Sequence, residues 1–233
     1  MSLPVVLLPG LNCSLRLYEP QLPALWQIGS VIVADHRSDD SIAGIARRVL
    51  ADAPPRFVLL GLSMGGYIAF EIMRQAPSRI AGLALLDTSA RPETSEQTIR
   101  RQAQIDMARS GRFDEISEQM FAVLSRPAGL GDARIRQVIR AMAADTGPAA
   151  FIRQQTAIMG RADSRPTLST LRCPTLVVVG DEDKLTPPDL AVEIAQGIPD
   201  ARLEVVAECG HLSTLDQPER VTKILGSWMR TLT

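Results

Sequence analysis

The stretch FVLLGLSMGGYIAF, residues 57–70, decides the fold prediction. Apolar residues lead into the run Gly61-Leu62-Ser63-Met64-Gly65-Gly66, and a helix-like pattern follows it. A turn from a buried strand into a helix needs only one glycine, so three glycines around one serine require another reason. The spacing Gly-x-Ser-x-Gly at such a junction predicts a tight turn that holds Ser63 in a strained backbone conformation.

The glycines of this turn predict a close approach between the helix and the sheet. A side chain at Gly61 or Gly65 would collide with the other glycine or with the neighbouring strand, and Gly66 lets the helix pack close to the sheet. The turn presents the Ser63 hydroxyl beyond the strand ends and sets the Met64 amide at a helix amino terminus, where it can donate to an anion. The alternative interpretation is a glycine-rich turn with an incidental serine.

Six short apolar runs, rich in valine, leucine and isoleucine, predict the strands of a parallel sheet. They lack polar alternation, which is typical of strands covered on both faces. The runs are residues 4–9, 30–35, 57–62, 80–87, 174–181 and 202–208. Helix-period stretches lie between them at 41–51, 65–76, 188–197 and 217–230. This alternation predicts an α/β fold, a mostly parallel sheet of about six strands with helices on both faces.

A helical block interrupts the alternation between Asp87 and Cys173. Thr94 and Gln97 have capping-box spacing at the start of its first helix, which ends at Gly111. Three further helical runs follow, separated by Pro127, Gly129, Gly131 and Pro148. We expect a helical cap, or lid, over residues 91–164, inserted into a core formed by residues 1–90 and 165–233.

Composition indicates one globular domain and excludes several classes of partner. The 233 residues are 45% apolar and 22% charged, with a net charge of −1, which is ordinary for a soluble protein. Basic runs of the kind that bind nucleic acid are missing. The pairs Arg47-Arg48 and Arg100-Arg101 fit solvated helix faces better than binding patches. A small molecule is the expected partner, with no nucleic acid and no membrane, and the oligomeric state is not predicted.

The cysteines and the amino terminus indicate a cytoplasmic protein. Cys13, Cys173 and Cys209 are widely spaced and odd in number, which argues against a disulfide framework or a zinc site. The first residues lack a basic n-region, so we expect no signal peptide. No run approaches the roughly 18 consecutive apolar residues of a membrane span.

A serine hydroxyl needs a base to act as a nucleophile, and the chain has two histidines. His211 follows the last predicted strand, where loops of α/β sheets build their sites. His36 follows the second predicted strand and is interpreted as a surface loop residue. His211 is therefore the candidate base.

A carboxylate should orient that base. Asp183 is favoured in the segment VVVGDEDKLTPP, with Asp181 as the fallback, and Asp87 at the end of the fourth predicted strand is a rival. Turn formation or helix capping is the alternative use of each of these aspartates.

The chain order Ser63, Asp183, His211, with the segments GLSMGG and CGHLSTLDQPE, resembles the α/β-hydrolase superfamily. The branch most similar is that of small bacterial esterases and enol-lactonases with a helical cap. The resemblance implies a trimmed sheet of six strands. It also implies an oxyanion hole from the backbone amides of Leu11 and Met64, although Pro9-Gly10 stands where the family commonly has His-Gly. The Asn12 side chain would assist.

The resemblance implies acyl transfer to water without a metal or organic cofactor. Esters, lactones and thioesters fit this machinery, as do carbon–carbon cleavage and peroxyacid formation; a ligand-binding protein with little turnover is the alternative class. Pocket candidates are Asn12, Met120, Phe121 and Met159. Arginines of the helical block, for example Arg126, Arg153 and Arg161, fit solvated helix faces better than a site for an acidic substrate.

Overall fold

The centre of the protein is a six-stranded, all-parallel sheet. The computed structural model describes residues 3–126, 128–129 and 132–232. The strands are β1 Val5–Leu8, β2 Val31–Val33, β3 Phe57–Leu62, β4 Ile80–Leu86, β5 Thr175–Gly180 and β6 Arg202–Val206. Their spatial order is β2-β1-β3-β4-β5-β6. Each strand lies within one of the six predicted runs, so the sheet prediction is confirmed.

Eleven α-helices are found within the described residues. They are α1 Leu22–Trp26, α2 Ile42–Asp52, α3 Met64–Gln75, α4 Ser95–Arg109, α5 Phe113–Leu124, α6 Ala133–Thr146, α7 Pro148–Met159, α8 Arg165–Leu168, α9 Pro188–Gly197, α10 Ser213–Asp216 and α11 Pro218–Met229. The four helices predicted between strands correspond to α2, α3, α9 and α11. In the described ranges, no helix combines the length and the apolar character needed to cross a bilayer.

The sheet is covered on both faces because side chains of successive strand residues point in opposite directions. Val6 and Leu8 of β1 belong to one apolar cluster with α2, α3 and α9, whereas Val5 and Leu7 belong to another with α1 and α11. The sequence predicted six strands buried on both faces. All residues of β1, β3, β4 and β5 are buried, whereas the prediction was wrong for β2 and β6, which are partly exposed. The latter two are edge strands, and Val205 of β6 is 48% exposed.

Helices α4 to α8 lie between β4 and β5, and α4 to α7 fall within residues 91–164, the range predicted to form a helical cap. The capping box is confirmed, with Gln97 N donating to Thr94 Oγ1 and Thr94 N to Gln97 Oε1. Gly111 ends the first segment with a φ of 81°. Gly129 lies between α5 and α6, while Pro127 and Gly131 lie outside the described residues. The division into a core and a cap stays a prediction.

The turn between β3 and α3 is held in the left-handed region, with Ser63 at φ 55° and ψ −114°. Such a conformation in a residue other than glycine costs about 1–3 kcal/mol. Ser63 N donates to Leu86 O at 3.0 Å, and Thr88 Oγ1 donates to Ser63 O at 2.8 Å. A Cβ on Gly61 would overlap the Gly65 carbonyl, and one on Gly65 would overlap the Leu8 carbonyl. Close backbone packing therefore explains why both positions are glycine.

Replacing Gly65 by alanine should lower the free energy of unfolding by about 3 kcal/mol or more. The added methyl group meets the Leu8 backbone carbonyl of β1, which cannot move without disturbing strand pairing. Gly226→Ala is the matched control, because its Cβ would lie at an ordinary 3.7 Å from Arg230. That change in α11 should raise stability by about 0.5–1 kcal/mol. Urea unfolding measures both, and similar shifts in the two variants would contradict this account of the turn.

Candidate active site

Three loops at the carboxyl ends of parallel strands bring Ser63, His211 and Asp183 together. Ser63 directly follows β3, Asp183 follows β5 and His211 follows β6. The His211 Nε2 atom lies 2.9 Å from Ser63 Oγ, and His211 Nδ1 lies 2.8 Å from Asp183 Oδ2. The three side chains thus form one hydrogen-bonded line, in the arrangement that the sequence predicted.

The loop after β5 fixes the Asp183 carboxylate. The amides of Leu185 and Thr186 donate to Asp183 Oδ1 at 2.8 and 3.0 Å, and the Thr186 hydroxyl donates to Oδ2 at 2.7 Å. Burial raises the pKa of Asp183, but the charge of His211 and these hydrogen bonds together hold the pKa below its ordinary value. Sequence reasoning missed Thr186, although an Asp followed by Thr three residues later is a recognisable turn pattern.

His211 is buried, with 1% of its surface exposed. Burial lowers the pKa of the imidazole, but the Asp183 carboxylate and its hydrogen bond raise it, as does the charge of Asp87, and the net pKa lies above 6.5. Because an ionised carboxylate only accepts hydrogen bonds, Nδ1 carries the proton in neutral His211. Nε2 is then left to accept the hydrogen bond of the Ser63 hydroxyl.

The rival carboxylates have other partners. Asp87 accepts hydrogen bonds from Gly180 N and Ser213 Oγ, and Asp181 accepts one from Cys209 N at 3.1 Å. Neither hydrogen-bonds to His211 within the described residues. Burial, with the nearby Asp183 charge, raises the pKa of Asp87 to about 7. Asp87 therefore contributes to the field around the imidazole but does not hold it.

The amides predicted for an oxyanion hole are free to donate. Neither Leu11 N nor Met64 N has a hydrogen-bond acceptor in the part of the chain that the structure describes. A Cβ on Gly10 would lie 3.5 Å from Ser63 Cβ, so this loop passes beside the serine. Asn12 has a φ of 58°, and its backbone N–H donates to Gln154 Oε1 at 3.0 Å. Gln154, on α7, was not singled out from the sequence.

His36 is not a surface residue, and that interpretation was wrong. Its exposed fraction is 3%, and its Nε2 lies 3.0 Å from Gly10 O. A carbonyl only accepts, so Nε2 must carry the proton and donate. Burial lowers the pKa of His36 and favours this neutral form. β2 lies beside β1 in the sheet, which places the loop after β2 against the loop that contains Gly10.

A cavity of about 390 Å³ opens beside Ser63 and His211. Its size is typical of small-molecule sites. Leu62 and Ile158 supply apolar wall, and Gln104 and Gln119 supply polar wall. Residues of α4, α5 and α7 thus enclose the space above the strand ends.

The structure places one of the four predicted pocket residues in the wall of this cavity. Met120 lines the cavity, whereas Asn12, Phe121 and Met159 do not. Successive helix residues are turned by about 100°, so Phe121 faces the core, where the guanidinium of Arg136 lies 4.5 Å from the ring centre. Ile158 takes the wall position expected of its neighbour, and Asn12 is buried, with 4% of its surface exposed.

Two arginines interpreted as solvated lie instead in the cavity wall. The side chains of Arg101 and Arg161 are only 17% and 4% exposed, and both contact the buried carboxylate of Glu93. Arg126 is also half-buried, with Nε 3.8 Å from Asp216 Oδ2. Arg153 behaves as expected, near the surface, where its Nε donates to Arg37 O.

Within residues 3–126, 128–129 and 132–232, no three or more histidine, cysteine, aspartate or glutamate side chains form a group that could hold a metal ion.

Comparison with known proteins identifies the family. The family model described as alpha/beta hydrolase family matches residues 5–224. A pimeloyl-[acyl-carrier protein] methyl ester esterase of Aromatoleum aromaticum is 31% identical over 183 residues, 73% of each chain. The solved structure of a thermophilic esterase from Thermogutta terrifontis, with malate bound, superposes with a TM-score of 0.93 at 31% identity, covering 99% of this chain and 90% of that one.

A third match extends the likeness of fold. The enol-lactonase of Burkholderia xenovorans gives a TM-score of 0.88 at 24% identity, over 99% of this chain and 92% of that one. The family model spans nearly the whole chain, and two esterases are about one-third identical to it. The chain therefore belongs to the alpha/beta hydrolase family and is an ester-cleaving hydrolase.

Proposed function

We propose that the protein hydrolyses carboxylic esters of small molecules through an acyl-enzyme intermediate on Ser63. His211 acts as the base and Asp183 orients it. The observation that carries the proposal is the pair of contacts at His211, with Nε2 2.9 Å from Ser63 Oγ and Nδ1 2.8 Å from Asp183 Oδ2. A nucleophile in contact with a base that is itself oriented by a third group fits the requirement for activating a serine.

In the first half-reaction, Ser63 Oγ attacks the ester carbonyl carbon while His211 Nε2 takes the hydroxyl proton. The tetrahedral intermediate then collapses, the bond to the leaving oxygen breaks, and the imidazolium returns its proton to the departing alcohol. The acyl group is left on Ser63. Asp183 stabilises the imidazolium during this step and stays ionised, which its lowered pKa favours.

In the second half-reaction, water attacks the acyl-enzyme as His211 takes one of its protons. Collapse of the second tetrahedral intermediate releases the carboxylic acid and returns a proton to Ser63 Oγ. A lactone follows the same steps, except that its leaving oxygen stays tethered to the acyl group. A thioester follows them with a thiol as the leaving group.

The amides of Leu11 and Met64 would bind the oxygen on which negative charge develops. Both lack acceptors within the described residues, and the Met64 amide is at the amino terminus of α3. Removing one such donor costs roughly 3 kcal/mol of transition-state stabilisation in comparable enzymes. His36 and Gln154 hold the loop that carries Leu11, so they would act by positioning its backbone.

The cavity supports a small-molecule substrate, which fits a space of about 390 Å³. Helices α4, α5 and α7 would act as the cap that selects it. The cytoplasm is the proposed compartment, because three widely spaced free cysteines fit a reducing environment.

A serine-reactive fluorophosphonate and a panel of p-nitrophenyl esters of graded chain length test the assignment. The wild-type protein should take up one phosphonyl group at Ser63, located by peptide mass spectrometry, and should hydrolyse the short esters. Ser63→Ala should lose labelling and at least about 10³-fold in kcat/KM. Ser110→Ala is the matched control, because Ser110 is exposed and directly follows α4. This variant should keep the wild-type kcat/KM and the labelling of Ser63.

Two other outcomes would contradict this assignment. Ester hydrolysis by Ser63→Ala at the wild-type rate would refute the nucleophile. Labelling of Ser63 without turnover of any ester, lactone or thioester would instead point to a binding protein or to another reaction of the same side chains.

The pH dependence of kcat/KM tests the acid of the triad. His211 must be neutral to act as base. Burial lowers its pKa, but the Asp183 carboxylate raises the pKa above its ordinary value, so activity should fall as the pH drops through this raised pKa. Asp183→Asn removes the Asp183 charge, which raises the pKa of His211 more than the remaining charge of Asp87 does. The acidic limb should therefore move to lower pH while the plateau falls by about 10²–10⁴-fold.

Asp181→Asn is the matched control, since Asp181 is exposed and contacts Cys209 N rather than the imidazole. Its profile should match the wild type. A larger loss in Asp181→Asn than in Asp183→Asn would reassign the triad acid.

A further inference from the structure

The cavity beside Ser63 has an uneven set of charges. Arg91, Arg101 and Arg161 all line it, and none of its lining residues in the described chain is an aspartate or glutamate. Asp183 lies beyond the imidazole, on the Nδ1 side rather than the Ser63 side. Arg91 is paired outside the cavity lining, with its Nε 2.9 Å from Glu193 Oε2, so the uneven charge of the wall rests on Arg101 and Arg161.

One carboxylate serves two of these arginines. Glu93 Oε1 lies 2.6 Å from Arg101 Nε, and Glu93 Oε2 pairs with Arg161 Nη1. The Glu93 side chain is only 3% exposed. Arginine stays protonated in proteins, so two guanidinium groups and one carboxylate leave an excess charge of +1. A buried charge without a counterion is costly, which favours an anionic ligand at this place.

Arg101 has donors to spare. Its Nη1 donates to Gln155 Oε1 at 2.7 Å, and its Nη2 has no hydrogen-bond partner among the residues described. Gln155 is fixed in turn, because its Nε2 donates to Gln104 Oε1 at 2.6 Å. The Arg101 guanidinium is thus held by Glu93 and Gln155, and Arg101 is one of the residues that line the cavity.

Arg161 ties this cationic wall to the nucleophile. Its guanidinium carbon lies 4.5 Å from the centre of the Tyr67 ring, and its Nε donates to Arg91 O at 3.0 Å. Tyr67 is four residues after Ser63, which is roughly 6 Å along the axis of α3. Ser63, Tyr67, Arg101 and Arg161 line the same cavity, so one small ligand can contact both the nucleophile and the cationic wall.

We propose that Arg101, supported by Arg161, binds a free carboxylate on the ester that Ser63 attacks. The inference rests on the proposed function, which supplies the ester bond. The preferred substrates are then monoesters of dicarboxylic acids, in which one ionised carboxylate lies a few methylene groups from the ester carbonyl. A guanidinium matches the two oxygens of a carboxylate. Leu62, Met120 and Ile158 supply apolar wall for the methylenes between them.

The test compares esters that are matched in shape and differ in charge. Monomethyl succinate, glutarate and adipate are each paired with the neutral ester in which an isopropyl group replaces the carboxylate, for example methyl 5-methylhexanoate for glutarate. Methanol release gives kcat/KM for each. The readout is the ratio of kcat/KM for the charged ester to that for its neutral partner.

Arg101→Gln should lower that ratio by about 10- to 100-fold, the usual effect of losing hydrogen bonds to a charged group. The variant leaves Glu93 and Arg161 as a one-to-one pair, so no buried carboxylate loses its only partner. Arg109→Gln makes the same charge change eight residues later on α4, where the side chain is 62% exposed, and should keep the wild-type ratio. Arg101→Lys keeps the charge but not the fork, and should lower the ratio by an intermediate factor.

A binding measurement tests the subsite without turnover. Glutarate should bind to the Ser63→Ala protein in isothermal titration calorimetry. Adding Arg101→Gln to Ser63→Ala should weaken binding by at least about tenfold, whereas adding Arg109→Gln should not. Thermal unfolding of each variant checks that it is folded, and Arg101→Lys replaces Arg101→Gln in both assays if the latter is not.

The two proposals fail in distinguishable ways. Suppose that replacing Arg101 changes neither the ratio of kcat/KM values nor the affinity of the Ser63→Ala protein for glutarate. That result would overturn the subsite and leave the esterase proposal standing. Absence of turnover and of Ser63 labelling would overturn the esterase proposal, while the glutarate titration would still decide whether Arg101 binds a carboxylate.

Discussion

The close approach of α3 to the sheet is the constraint on which the rest of the structure depends. Gly61 and Gly65 let the backbone of the turn pack against itself and against Leu8 of β1, with no room for a Cβ at either position. This packing holds Ser63 at φ 55°, a conformation that the residue would not choose unaided. Strain at Ser63 is offset by strand pairing and helix packing elsewhere, and the hydroxyl is carried beyond the strand ends as a result.

The other parts of the site are loops that the sheet brings to the same edge. The loop after β5 holds Asp183 with hydrogen bonds from Leu185 and Thr186, and the loop after β6 holds His211 between Asp183 and Ser63. The loop after β5 thus fixes Asp183, Asp183 orients His211, and His211 in turn contacts Ser63. The helices between β4 and β5 close the space above. Helix α4 carries Arg101 into the wall of this space, and the loop after α7 carries Arg161 there.

The sequence was sufficient to predict the strands and the serine turn, because both follow from local patterns. It favoured Asp183 but left Asp181 and Asp87 open, since all three follow strands and only loop hydrogen bonds decide which one faces the imidazole. His36 was misinterpreted because its contact with Gly10 depends on the order of strands in the sheet. Burial of Arg101 and Arg161 depends on Glu93, which precedes α4 and is distant in sequence from Arg161. Contacts between residues this far apart in sequence can be identified only in the folded chain.

A crystal structure of the protein after reaction with a methylphosphonate ester would show whether the turn at Ser63 presents a nucleophile, since the tetrahedral phosphorus stands in for the transition state. We expect phosphorus bonded to Ser63 Oγ, with a phosphoryl oxygen about 2.7–3.1 Å from the amides of Leu11 and Met64, and His211 Nε2 beside the ester oxygen. An adduct on another side chain, or a phosphoryl oxygen that neither amide can reach, would refute Ser63 as the nucleophile of this site.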